Sequence, residues 1–290
     1  MKITTKGILT ITGISIILIP LFIYVTLNLL RPRRINLEQQ LFPGVSYQRQ
    51  KLFQPRPLVL HIVTIDLKTP GIEFLATPGQ NNIPGNEFVA RTTSEFLRSY
   101  QVQLAINGSL FFPTKPRSGD GVDAIGLAIS GGKTYSEAQY GWPVLCILEG
   151  NTVEIREMDC PDGTQEAIAG SNIVLKDGQV VPQGSDDGAT KLYPRTAVAL
   201  DQQGSKLWLV VIDGRQFRYS EGVSLAELGE IIAKLGAYQG LNLDGGGSTA
   251  MVREHLGGAK VLNAPIHTRI PMRQRPVANH LGVYVRKFSR

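Results

Sequence analysis

Short apolar runs that end in glycine recur along most of this chain, and their period is mainly that of strands. Leu58-Val59-Leu60-His61-Ile62-Val63-Thr64-Ile65-Asp66 reads as a strand, Thr69-Pro70-Gly71 as a turn, and Ile72 to Ala76 as a second strand. Glu87 to Tyr100, with Phe88, Val89, Phe96 and Leu97, reads as a helix, and Val102 to Ile106 is a strand running into Asn107-Gly108. Further strands are expected at Gly126 to Ser130, Val144 to Leu148, Thr152 to Glu157, Ala167 to Leu175 and Thr196 to Leu200. Lys206 to Asp213 carries the strongest strand pattern. Ser224-Leu225-Ala226-Glu227 has capping-box spacing, and Leu225, Leu228, Ile231, Ile232 and Leu235 follow with helical periodicity up to Gly236. Leu241 to Asp244 and His280 to Val285 are the last strands. The pattern predicts one α+β domain: a mixed, mostly antiparallel sheet with two main helices. Strand, helix and strand between Lys206 and Asp244 predict a parallel crossover, which puts Asp213 and Asp244 at strand C-termini facing one cleft.

One apolar run breaks this pattern. Gly7 to Leu30 is uncharged, between Lys2 and Lys6 on one side and Arg31, Arg33 and Arg34 on the other. About 20 residues of helix span a bilayer, so the run predicts an N-terminal transmembrane helix. It ends without a small-x-small cleavage site and is therefore expected to be an uncleaved signal-anchor. The expected organisation is a membrane anchor over 1–30, a linker over 31–57 rich in Arg, Gln and Pro, and a catalytic domain over 58–290.

The net charge of +6 changes meaning once the anchor is set aside, because five of the positive side chains flank that run. The remainder is close to neutral, and no nucleic-acid partner is expected. Cys146 and Cys160 straddle a turn at Glu149-Gly150-Asn151, a placement open to a disulfide in an oxidising compartment or to two free thiols. The four histidines lack metal-site spacing. No metal or other cofactor is expected, although Asp213, Asp244 and a carbonyl leave open an oxygen-only Ca²⁺ or Mg²⁺ site.

The candidate chemistry lies where apolar strands end in polar clusters. In Leu241-Asn242-Leu243-Asp244-Gly245-Gly246-Gly247-Ser248-Thr249, a carboxylate precedes three glycines and two hydroxyls, the composition of an anion-binding nest of backbone amides. Asp213-Gly214-Arg215 repeats the acid-before-glycine setting. Paired carboxylates suit general acid–base work or glycosidic cleavage. Asn107, Arg195-Thr196 and the segment Arg275-Pro276-Val277-Ala278-Asn279-His280 add amide and guanidinium groups suited to a ligand oxygen or phosphate.

Taken in order, Asn107-Gly108-x-x-Phe111-Phe112, Arg195-Thr196-Ala197-Val198, Val211-Ile212-Asp213-Gly214-Arg215, Asn242 to Thr249 and Arg275 to Asn279 resemble the phosphodiester glycosidase family. Its animal member is the mannose 6-phosphate uncovering enzyme, N-acetylglucosamine-1-phosphodiester α-N-acetylglucosaminidase. The resemblance runs from about Leu58 to Val285. It implies hydrolysis of a sugar-1-phosphodiester at the glycosidic C–O bond, with Asp213 and Asp244 in the site; the two catalytic carboxylates are expected to divide the base and electrostatic roles. It likewise implies that Asn107, Arg195, Thr196, Gly214, Arg215, Gly245, Gly246, Gly247, Ser248, Thr249, Arg275 and Asn279 bind substrate. An exported location is also implied. With the anchor, that becomes a membrane-anchored protein whose catalytic domain lies outside the cytoplasm, in a periplasm or on the outer face of an inner membrane. The substrate partner would be a phosphodiester-linked sugar or envelope glycan. Two rival readings remain from the residues: a metal-assisted phosphodiesterase, and a non-catalytic module that binds anionic glycans.

Overall fold

The computed structural model describes residues 22–80 and 85–286. Most of the run expected to cross a membrane lies outside those residues, and only its end is described, helical over 22–29. Among the described residues no helix is long and apolar enough to cross a membrane.

Three sheets make up most of the molecule. The largest has eight strands in the order Leu37–Phe42, Val45–Leu52, Leu58–Asp66, Lys206–Ile212, Arg195–Leu200, Gln239–Asn242, Asn172–Lys176 and Gln179–Val180. One five-stranded sheet contains Val144–Leu148 and Thr164–Ala169, and another contains Leu104–Asn107, Met251–His255 and His280–Val285. The main apolar core lies between the large sheet and the two smaller ones: Val63, Val198, Leu209 and Leu241 meet Leu104, Leu145, Ile168 and Val283. Helix Leu225–Lys234 covers the other face of the large sheet through Leu225, Leu228 and Ile232. Helix Thr93–Tyr100 packs Phe96 and Leu97 beside Val102, Ala105 and Val252. The protein is mostly β, with few helices.

Several expected elements take a different form. Residues 37–52 are not linker: they form a hairpin whose second strand pairs with Leu58–Asp66 over its whole length, Val45 opposite Ile65 and Leu52 opposite Leu58. Its polar residues are those of an edge hairpin with one solvated face. The first helix starts at Thr93 rather than Glu87. Thr92 and Glu95 close a reciprocal capping box there, and Phe88 is instead buried in a two-residue strand paired with Val122. Ala167 to Leu175 is two strands in different sheets, parted at Gly170. A Cβ at Gly170 would sit 2.4 Å from the Asn242 carbonyl oxygen, so only glycine lets the chain turn there. Among the described residues every ladder between named strands is antiparallel, and one isolated bridge, Ile266 to Arg273, is parallel. The two strands of the expected crossover do run parallel, with Arg195–Leu200 inserted between them and antiparallel to both.

The two cysteines are joined: Cys146, buried in strand Val144–Leu148, forms a disulfide with Cys160 across a Cα–Cα distance of 5.7 Å. Cross-linking 14 residues apart stabilises chiefly by restricting the unfolded chain. Reduction, or the double substitution C146S with C160S, is expected to lower the unfolding free energy by about 3 kcal/mol in urea denaturation of the oxidised and reduced forms.

Candidate active site

The inserted strand brings three of the expected residues to one end of the large sheet. Arg195 begins it opposite Ile212, and Ala197 lies opposite Asn242, so Asp213, Arg195 and Asp244 follow one another along the sheet edge. Which face each side chain takes is then decided by alternation along the strand. Leu207, Leu209 and Val211 face the core between the sheets, and Asp213 continues that series. Leu241 and Leu243 also face that core, so Asn242 and Asp244 turn the other way. There they line a cleft of about 430 Å³, together with Tyr193, Arg195, Arg215, Gly245 to Gly247 and Arg275. Small-molecule sites typically measure about 300–1,000 Å³.

Asp213 therefore does not pair with Asp244 across the cleft, and the expected two-carboxylate site is corrected. It is 1% exposed, and both its oxygens are occupied. Oδ2 accepts from His61 Nε2 at 2.9 Å, while Oδ1 accepts from Asn263 Nδ2 at 3.1 Å and from the Ala264 amide at 2.9 Å. The network continues outward from His61 Nδ1 to the Tyr47 hydroxyl at 2.8 Å. Inward, Asn263 Nδ2 donates to the Thr249 carbonyl and its Oδ1 accepts from the Met251 amide. The Asp213 carbonyl also accepts from Ser220 Oγ at 2.6 Å, which closes the loop carrying Arg215. The role of Asp213 is to position both cleft loops. The expected oxygen-only cation site falls with the pair, since its two carboxylates take opposite faces of the sheet.

Several expected substrate ligands prove to be clamps. Asn107 is fully buried: Nδ2 donates to the Asp244 carbonyl at 2.7 Å, and Oδ1 accepts from Thr196 Oγ1 at 2.7 Å and the Ala250 amide at 3.1 Å. One side chain thus fixes both ends of the 244–250 loop, and Thr196 serves it. Asn279 accepts from the Ser109 amide at 2.7 Å and sits so close to Gly108 that a Cβ there would come within 2.4 Å of its Oδ1. Gly214 passes beneath Pro194, and Thr249 is buried; neither lines the cleft.

The glycine loop is not the open amide cradle its composition suggested. The Gly246 amide donates to the Pro194 carbonyl, the Ser248 amide to the Gly245 carbonyl, and the Gly245 amide binds the Asp244 carboxylate. The glycines are required for close approach instead. A Cβ at Gly245 would lie 2.7 Å from the Pro194 oxygen, and one at Gly247 would lie 3.0 Å from His267 Nδ1. Gly246, at φ +61°, lies beneath the Arg215 guanidinium.

The positive charge of the cleft comes from three guanidinium groups. Arg275 donates to Ser248 Oγ at 3.0 Å and to the Thr114 carbonyl, with its guanidinium 4.6 Å over the Phe111 ring and Nη1 3.8 Å from Asp244 Oδ2. Arg215, itself at φ 57°, stacks 4.5 Å over Tyr193, and Arg195 lies 5.4 Å over the same ring. Arg195 also donates to the carbonyls of Val223, Gly188 and Lys191, so it fixes the cleft wall as well as charging it. Burial lowers its pKa to about 10, which leaves it cationic at neutral pH.

Asp244 faces the cleft beside Arg275, with its side chain 15% exposed. Burial pushes its pKa up to about 6, against the opposing pull of Ser248, Arg275, the Gly245 amide and Arg215. Tyr193, Asp186, Ser171 and Asn172 also line the cleft and were not anticipated. Only Tyr193, two residues before Arg195, carried a local hint. The site can hold a singly charged anion among its arginines while one carboxylate accepts a proton.

The phosphodiester glycosidase family matches residues 100–284 of the chain, a shorter span than the motifs implied. The fold resembles that of a hypothetical protein from Synechocystis, with a TM-score of 0.65 at 16% identity over 84% of this chain. This chain spans 62% of the Synechocystis protein. It resembles also the catalytic domain of zebrafish N-acetylglucosamine-1-phosphodiester α-N-acetylglucosaminidase, auto-inhibited by its pro-peptide. There the TM-score is 0.64 at 17% identity, covering 90% of this chain and 93% of that one. At such identities the likeness is one of fold. No protein of curated function matches in sequence.

Two measurements check this geometry. Asp244 should titrate near pH 6 by carboxyl-carbon NMR, and Arg275→Gln should move the midpoint upward, since a favourable positive charge is lost. A pKa raised on folding makes the ionised carboxylate a cost to the fold. That cost is absent below the unfolded value of 3.8 and complete above about 6. Asp244→Asn should therefore raise the thermal midpoint at pH 7 and lose that advantage by pH 4. Asp213→Ala, which strips partners from a buried polar network, should lower stability by about 3–5 kcal/mol.

Proposed function

Because the chain belongs to the phosphodiester glycosidase family, we propose that its cleft hydrolyses a sugar-1-phosphodiester at the glycosidic C–O bond, releasing the sugar and leaving a phosphomonoester. The observation that carries this reading is Asp244, poised near pH 6 in the same cleft as Arg275, Arg215 and Arg195.

The chemistry follows from these charges. A phosphodiester bears one negative charge at neutral pH, and the arginines bind it in a partly desolvated site where Coulomb attraction is stronger than in water. As the anomeric C–O bond lengthens, positive charge grows on the sugar and negative charge on the departing phosphate. The guanidinium groups stabilise the phosphate charge as it forms, so the leaving group needs no proton from an acid. Asp244, ionised above pH 6, takes the proton of the attacking water and stabilises the sugar cation. One catalytic carboxylate is then sufficient, consistent with Asp213 being committed to positioning.

N-acetylglucosamine is the proposed sugar, in keeping with the name of the structurally similar zebrafish enzyme. Asn242 Oδ1 is buried without a protein partner in the wall of the same cleft. The setting we propose is a cell envelope, with the domain held outside the cytoplasm by the apolar run. The Cys146–Cys160 disulfide supports an oxidising compartment.

Asp244→Asn is expected to reduce turnover of an N-acetylglucosamine-1-phosphodiester by about two to four orders of magnitude, the range for loss of a general base. In ¹⁸O-labelled water the heavy oxygen should appear on the sugar. Label on the phosphate instead would show P–O cleavage and remove the glycosidase reading.

A further inference from the structure

A groove leads out of the cleft toward the end of the apolar run. Tyr193 and Arg215 line both spaces, and beyond them a groove of about 860 Å³ is walled by Phe217, Arg269, Arg31 and Tyr24. Tyr24 belongs to the helix at residues 22–29, where the uncharged run from Gly7 ends. This helix carries bare apolar side chains: Phe22 is 73% exposed and Leu29 80%. The segment after it is pinned to the domain. The Arg31 guanidinium lies 5.1 Å over the Tyr219 ring, the Tyr219 hydroxyl donates to the Pro32 carbonyl at 3.0 Å, and Arg34 donates to the Arg218 carbonyl at 3.1 Å. Tyr219 and Arg218 share a loop with Arg215 and Phe217. A single loop therefore supplies an arginine to the cleft, walls the groove, and fixes where the apolar helix departs.

The rim of the groove has the composition of a membrane interface. Phe217 is 78% exposed, with the Arg218 guanidinium 5.2 Å over its ring, and Arg269 lines the same groove from another loop. Aromatic and long cationic side chains favour the boundary between headgroups and hydrocarbon. A helix this apolar and this bare needs a hydrophobic covering. A soluble anionic polymer would engage the arginines but leave Phe217 and the helix uncovered.

We propose that the aglycone of the substrate is a membrane lipid: a sugar-1-phosphate esterified to a long-chain alcohol, drawn from the bilayer into the cleft along this groove. The inference rests on the glycosidase reading above and specifies its substrate. Tyr24 and Phe217 contact the first carbons of the alcohol, and Arg31 and Arg269 face the lipid headgroups. Water oxygen bonds to the anomeric carbon as the bond from that carbon to the phosphate oxygen breaks. Asp244 takes the water proton. The lipid phosphomonoester stays in the membrane, and the free sugar leaves into water.

The test uses the full chain in phosphatidylethanolamine–phosphatidylglycerol vesicles with two substrates. One is the N-acetylglucosamine-1-phosphate ester of a long isoprenoid alcohol, and the other is the methyl ester of the same sugar phosphate. The unaltered protein should cleave the lipid ester with kcat/KM at least about tenfold above the methyl ester, the scale of burying one aromatic side chain. Phe217→Ser combined with Arg269→Gln should remove that advantage and leave the methyl ester within about twofold, because neither side chain lines the catalytic cleft. Equal or better turnover of the methyl ester by the unaltered protein, or parallel loss of both activities in the variant, would overturn the lipid aglycone alone. Failure to cleave either ester would remove the glycosidase reading along with it.

Discussion

The buried carboxylate of Asp213 is the interaction on which the rest of this site depends. It lies between the sheets, bound to His61 of the large sheet and to Asn263 and Ala264 of the segment that follows the strand hairpin Met251 to Val261. Its main chain anchors the loop that presents Arg215, and through Asn263 it reaches the end of the loop that presents Asp244. An ionisable group deep in a protein is tolerated only when its partners are complete, and here three donors satisfy it. The arrangement couples the two walls of the cleft to one point in the core.

Asn107 performs the complementary task from the smaller sheet. Its amide bridges Thr196 on the large sheet to both ends of the glycine loop. Rigid support of this kind permits the short loop to carry a partly desolvated carboxylate. The raised pKa of Asp244 is a local cost of placing it there, and the buried network bears that cost.

Charge in the cleft is arranged for a ligand of fixed valence. Three guanidinium groups against the carboxylates of Asp244 and Asp186 leave a surplus of positive charge, and two of them are stacked on Tyr193, which holds their planes. Arginines held in this way keep their positions, as the preorganised site of the proposed hydrolysis requires. The same loop that supplies Arg215 also meets the segment at residues 31–34, so the cleft and the end of the apolar run share one structural element.

Much of this was legible in the chain itself. The strands from Leu58 to Asp66 and from His280 to Val285, and the capped helix after Ser224, follow from apolar period and capping chemistry, which act locally. The ordered motifs around Asp244, Arg215 and Arg275 were enough to indicate the family. The strands at 37–52 were hidden because an edge hairpin with a solvated face has the composition of a linker. The chain could not declare which face Asp213 would take, because it follows an unbroken apolar strand buried on two sides, where alternation leaves no polar mark. Leu241-Asn242-Leu243-Asp244 does alternate, so the side taken by Asp244 was marked, but not that Asp213 would take the other. Nor could it show that Asn107 would be used up inside the protein, since its hydrogen-bond partners 89 to 143 residues distant are joined only when the sheets pack. Residue types and local geometry were set by sequence, whereas the direction of each functional group was set by the packing of one sheet on another.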